Sequence, residues 1–245
     1  MLTDSKFQEI QEATASEPLS LEEEYAMQRS WRQDADKLTF IICQPVSATN
    51  NDQIQNSDDT SGGPAIQLHP DSDSPPNMVG DINLFLRIDD GDDGDDPPHI
   101  VGEIELMVAD KVNQRRGFGR AALLVFLRYI AERQSEILDE FVCGGTVDRE
   151  ILTKLHAAAA AFPSTGKDSQ RPKLSFSCLS VKIGQSNTGS LALFESLSFE
   201  KISAQPNFFG EFELRRGDLS RGAVEEALQL AGVDGYSEMS HERTQ

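Results

Sequence analysis

Apolar residues recur along this chain in two rhythms, and the change from one to the other marks its centre. From Gly102 to Val108 the period is two. Ile104, Leu106 and Val108 fall on one face and Glu103, Glu105 and Met107 on the other, the pattern of a half-buried strand. Further on, Leu123, Phe126, Leu127 and Ile130 recur at helical spacing and predict an amphipathic helix. The basic, glycine-bearing segment Gln114-Arg115-Arg116-Gly117-Phe118-Gly119-Arg120 joins the two.

Around this centre the patterning predicts further elements. Phe7 to Gln33 reads as helix, with Ser20 as an N-cap and Glu23 completing a capping box; Trp31 is expected as its core anchor. Leu38 to Cys43 follows as a strand that Pro45 ends. Val79 to Ile88 is the next strand, pairing antiparallel with the strand at Gly102. A short helix is expected from Asp148 to Phe162, a strand from Leu174 to Ile183 and a helix from Asn187 to Ser196. Phe199–Ser203 and Asn207–Leu214 form a hairpin through Pro206, and a weak helix, Leu219 to Ala231, precedes a polar end. Periodicity fails over 46–77, 89–98 and most of 141–172, which read as insertions, mostly disordered or loop. The expectation is one domain over 1–216 and a tail over 217–245.

Composition narrows the partners. A formal charge of −19 over 245 residues argues against duplex DNA or an anionic membrane surface. Cys43, Cys143 and Cys178 are odd in number and lack metal-ligand spacing, so reduced thiols and a cytoplasmic (or nuclear) location are expected. No apolar stretch follows a basic start, which predicts no secretory signal, and the run Ala121 to Leu127 is too short to span a bilayer. The Asp-Gly run from Asp89 to Asp96 fails the register of a calcium loop and reads as a solvated hairpin connection. His69, His99, His156 and His241 all fall in predicted insertions or the tail, leaving no framework for a zinc site or a nucleophile–histidine pair. No metal is expected.

The basic loop carries the chemistry. Two glycines one residue apart let a ligand approach the backbone, and they lie where the helix begins, so unpaired N–H groups converge on one spot. Such a spot favours phosphate or pyrophosphate, and Lys111, Arg115, Arg116 and Arg120 add positive charge. Gly117-x-Gly119-x-x-Ala122, with Asp139 beyond it, also meets the loose dinucleotide fingerprint. That fingerprint wants its first glycine directly after the strand; here a long basic loop intervenes.

Gln114-x-x-Gly117-x-Gly119 resembles the pyrophosphate loop Q/R-x-x-G-x-G/A of the GCN5-related N-acetyltransferases. The segment Asn187 to Phe199 looks like that family's second cofactor segment. Thr14 to Gln28, Ser30-Trp31, Met78 to Leu86 and Val181 to Asn187 are similar to its N-acetyltransferase 9 branch. The resemblance implies an α/β (α+β) fold with a mixed, mostly antiparallel sheet flanked by helices, and acetyl-CoA as co-substrate. It implies pantetheine contacts from the backbone of Met107, Val108 and Ala109, and a pyrophosphate held by Gln114, Arg115, Arg116, Gly117, Phe118, Gly119 and Arg120. Asn187 and Ser190 stand where the family contacts the thiol end. Phe194 occupies a cofactor-segment position at which many members carry a tyrosine that protonates the leaving thiolate. Members also begin with a strand and most of a helix before the position of Phe7, so the Leu38–Cys43 strand is expected at an edge.

Glu103 and Glu105 are the candidate catalytic bases; the alternative is a solvated polar stripe. The reaction implied is acetyl transfer to the amine of a protein or peptide. The competing reading is a weakly active or non-catalytic acetyl-CoA-binding protein that acts by association, for instance with a cytoskeletal protein.

Overall fold

The computed structural model describes residues 19–44, 72–90, 97–145, 147–161, 174–233 and 236–239. In chain order the elements are α1 (Leu21–Gln33), β1 (Lys37–Cys43), a 3-10 turn (Pro75–Asn77), β2 (Met78–Asp89), β3 (His99–Val108), α2 (Phe118–Cys143) and α3 (Arg149–Ala161). Then come β4 (Phe176–Gly184), α4 (Thr188–Glu195), β5 (Glu200–Lys201), β6 (Glu211–Arg216) and α5 (Arg221–Leu230). The strands form one sheet in the order β1-β2-β3-β4-β6-β5, with β1 at an edge. Every pairing is antiparallel except β3 with β4. This is the mixed, mostly antiparallel sheet expected.

The sheet has two unlike faces because its strands alternate. Leu84 and Leu86 of β2, Ile104 of β3 and Leu179 of β4 pack with Leu123, Phe126, Leu127 and Ile130 of α2 in one apolar core. Gly102 leaves room inside it: a Cβ there would stand 2.8 Å from side-chain carbons of both Leu84 and Leu179. On the other face, β2 and β3 carry Asp81, Asn83, Glu103 and Glu105.

The capping box forms as expected. Ser20 accepts from the Glu23 N–H at 3.3 Å, and the Glu23 carboxylate accepts from the Ser20 N–H at 2.8 Å. Trp31 is not in the core; it is half-buried and meets Phe85 edge-on, with ring centroids 6.2 Å apart. The expected helix over 7–18 and the segments 46–71, 91–96 and 162–173 lie outside the described residues.

Three expectations change. Phe141, Val142 and Cys143 continue α2 and do not open an insertion, while α3 forms where the short helix was expected. The final hairpin is shorter than predicted, because the Asn207 side chain accepts the N–H groups of Phe209 and Glu211, both at 2.9 Å. Those bonds make a turn where strand was expected. The predicted tail is partly body: α5 buries Val224 and Leu228, and its Glu225 accepts from Arg128 of α2 at 2.7 Å. Residues 236–239 return to the same helix, Glu238 meeting Arg133 at 2.7 Å.

Candidate active site

The site begins where two strands part. β3 pairs with β4 from Ile100 to Glu103, yet β3 runs on to Val108 and β4 to Gly184. Past Glu103 and Ser180 a gap therefore opens in the sheet.

Backbone at the end of β3 decides what faces that gap. Ala109 donates its N–H to the Val79 carbonyl at 3.1 Å, on the β2 side. The Met107 carbonyl also leans toward β2; a Cβ on Gly80 would overlap it, so only glycine fits there. Val108 is left on the β4 side, its carbonyl accepting from Gln114 Nε2 at 3.0 Å. Of the three residues expected to contact pantetheine, Val108 turns its backbone to the gap side, whereas the Met107 carbonyl and the Ala109 N–H point to β2. Gln114 instead clasps the strand end to the loop.

The loop then delivers α2. Gly117 is its N-cap at φ 92°, a left-handed conformation, and no side chain caps the helix. The first N–H groups, on Phe118, Gly119 and Arg120, are thus without a capping acceptor from a side chain. A Cβ on Gly119 would meet only Leu106 and Leu193, at 3.6 and 3.7 Å, so glycine here leaves the helix mouth open rather than relieving a clash. Arg115 is held at φ 59°. Arg116 donates to the buried Asn113 at 3.0 Å and stacks over Phe118 at 5.3 Å. Arg120 donates to Ser196 at 3.2 Å, tying the loop to the segment after α4.

Across the gap lies α4. The Asn187 Oδ1 caps it, accepting from the Ser190 N–H at 3.1 Å, so this side chain has a structural task of its own. Ser190 is half-buried beside it. Phe194 is part of the apolar core. It is 3% exposed and packs edge-on against Phe199 at 5.1 Å, because its spacing from Leu191 puts it on the apolar stripe of α4. Leu193 is the residue of this helix that approaches Gly119.

The two candidate bases differ. Glu103 binds Lys182 of β4 through both oxygens, at 3.1 and 3.0 Å. Glu105 has no such partner among the described residues, and burial, then the neighbouring Glu103 and Asp81 carboxylates, push its carboxyl above the usual range against the opposing pull of Lys182. As a residue Glu105 is nonetheless exposed, so solvent tempers that effect. Asp81 is likewise raised by burial, with the Asn83 amide holding it down in part. Sequence alone assigned Asp81, Asn83, Ser180 and Lys182 no role, although Asp81 and Asn83 stand at polar alternation points of β2. Among the described residues, no group of three or more His, Cys, Asp or Glu side chains is arranged to hold a metal ion. None of the described helices is long and apolar enough to cross a membrane.

The gap, the uncapped helix and the unpaired carboxyl can be set beside known proteins. No protein-family model matches the chain. A solved spermidine N-acetyltransferase chimera from Vibrio cholerae superposes with a TM-score of 0.40 at 12% identity, covering 87% of this chain and 91% of that one, an overlap too loose to carry weight. Sequence is more telling. The chain is 36% identical over 147 residues to the alpha/beta-tubulin-N-acetyltransferase 9 of Drosophila melanogaster, covering 60% of each. It is 32% identical over 210 residues to the human protein of that name, covering 86% of this chain and 70% of the relative. It is 32% identical over 229 residues to the N-acetyltransferase 9-like protein of Schizosaccharomyces pombe, covering 86% of this chain and 85% of the relative. A match that long, running through both strands that frame the gap, means that this chain belongs to the N-acetyltransferase 9-like family.

Proposed function

We propose that this protein transfers an acetyl group from acetyl-CoA to an amine of a protein or peptide, with Glu105 accepting the amine's proton. One observation carries the reading: a sheet that opens past Glu103 and Ser180 directly beside an uncapped helix start. Acetyl-CoA, when bound, supplies an acetyl group activated as a thioester. The N–H groups that open α2 would hold its pyrophosphate, and Arg115, Arg116 and Arg120 would offset its charge. Val108, on the gap side of β3, is the backbone position suited to the pantetheine arm.

An ammonium must lose a proton before its nitrogen can attack. Glu103 is a poor choice of base, since Lys182 occupies both of its oxygens. Glu105 has a raised pKa and no ion-pair partner, which brings it closer to the amine's own proton affinity. Fly and human relatives are named for α- and β-tubulin, so the tubulin dimer is the first acceptor to try. Three unbridged cysteines suit the cytoplasm as its compartment. Binding without turnover is the second reading, favoured by Phe194: it has no hydroxyl and is packed away, so protonation of the leaving thiolate falls to water.

Calorimetry with acetyl-CoA, followed by thiol release over tubulin, tests both readings. Gly119→Glu should melt like the wild type, because its Cβ fits, yet bind acetyl-CoA about a hundredfold more weakly, like charges in contact costing several kcal/mol. Unchanged affinity in the folded variant overturns the cradle. Binding without thiol release from the wild type selects the second reading.

A further inference from the structure

The polar face of the sheet is short of hydrogen-bond donors. Asp81, Asn83 and Phe85 of β2 stand directly opposite Met107, Glu105 and Glu103 of β3, and Ser180 of β4 stands beside Glu103. The Asn83 Nδ2 donates to Asp81 at 2.6 Å, which fixes its amide and leaves Oδ1 as an acceptor. That oxygen is buried, in a residue only 4% exposed, and has no partner. The Ser180 hydroxyl, on a residue 1% exposed, is also unpartnered, so its one O–H donor reaches none of these acceptors. The nearby cations among the described residues are already engaged: Lys182 by Glu103, Lys37, opposite Phe85, by Asp34 at 2.7 Å, and Arg215, opposite Ser180, by Glu213 at 2.6 Å.

Three carboxylates and an orphaned amide oxygen thus share one wall with a single ammonium among them. Leaving buried acceptors unmet costs free energy, so the wall calls for a donor that also carries positive charge. Water would bring two hydrogens and no charge. A primary ammonium brings three hydrogens and the charge together. Position agrees with chemistry: Trp31 and Phe85 close one end of the wall, and Met107 marks the other, beyond the point where β3 and β4 have parted.

We propose that Asp81 and the Asn83 carboxamide, with Glu105, bind the acceptor as its ammonium form, so that Asp81 orients the amine whose proton Glu105 then takes. This rests on the acetyl-transfer reading above but can fail separately from it. The acceptor class it specifies is a primary amine presented as a cation, an N-terminal or lysine ammonium, and not an alcohol or a neutral amide.

The first test needs no turnover. Carboxyl-carbon NMR of the whole chain is followed while propylammonium chloride is added, with propanol as the uncharged control. Asp81 and Glu105 should shift with the ammonium and not with propanol, and in Asp81→Asn the Glu105 shift should largely disappear. Ammonium-dependent shifts confined to other carboxylates overturn the proposal. The second test is kinetic: over tubulin, Asp81→Asn should raise KM for the acceptor about tenfold, the loss expected for a hydrogen bond to a charged group. Acetyl-CoA affinity should stay at the wild-type value, and kcat should fall far less than KM rises. A wild-type KM in the folded variant overturns the proposal. A wild type that releases no thiol while its Asp81 and Glu105 carbons still respond to propylammonium sinks the acetyl-transfer reading alone.

Discussion

The two faces of β3 share one backbone and were built to opposite standards. On one, Ile104 is sealed between neighbouring strands and α2, with Leu84, Leu127 and Leu179 around it, all within 1% exposure. On the other, two residues' side chains away, Glu103 and Glu105 stand among Asp81, an orphaned Asn83 oxygen and an orphaned Ser180 hydroxyl. The apolar face satisfies every demand that folding makes. The polar face leaves the Asn83 oxygen and the Ser180 hydroxyl unmet beside the carboxylates, and buried polar atoms short of partners next to an opening in the sheet are where a ligand belongs.

Substitutions on the polar face should therefore change chemistry, and those on the apolar face stability. The largest effect belongs to Glu105→Gln. If Glu105 is the base, the rate at neutral pH falls by about 10²–10⁴, while acetyl-CoA affinity and melting temperature stay close to wild type. The sign of the pH effect follows from the raised pKa. Glu105 accepts a proton only when ionised, so wild-type activity declines as pH falls through a value above the ordinary carboxylate range, and that inflection disappears in the variant. Glu103→Gln is the control: with its oxygens held by Lys182, its loss should be under about tenfold. Equal losses at both positions would erase the distinction between them.

Next in size is the apolar face. Leu84→Ala should cost about 2–5 kcal/mol in denaturant unfolding, because a fully buried leucine leaves a cavity. Below the unfolding transition its acetyl-CoA affinity should match the wild type. The smallest effect is the most discriminating. Ser180→Ala removes a buried hydroxyl that has no partner, so stability should change by no more than about 1 kcal/mol, in the favourable direction. A clear loss of stability there would mean that the hydroxyl is satisfied in the folded protein, and the polar face less needy than drawn.

Much of this was legible in the residues. Period-two alternation announced β3, and Ser20 with Glu23 announced the start of α1, because both signals are local and repeat within a few residues. Gly117 and Gly119 pointed to an open helix start for the same reason. The polar face was harder to read. Asp81 and Glu105 are far apart in sequence, and only the antiparallel register brings them onto one wall. That Phe194 is packed inward was equally hidden, because a position in a motif says nothing of which side of a short helix will be buried.

What the sequence determined by itself, then, is each element and the chemistry it carries: alternation makes a strand, helical spacing a helix, and two glycines an approachable loop. What only the tertiary structure decided is direction and partnership. It turned Met107 and Ala109 toward β2 and left Val108 at the gap, because a backbone group points wherever its ladder partner lies. It gave Lys182 to Glu103 and left Glu105 unpaired, and it folded a polar C-terminal stretch onto α2 through Val224, Leu228 and Glu225. Those outcomes depend on which distant segments meet, and meeting is a property of the packed chain, where burial over the whole core outweighs any local preference.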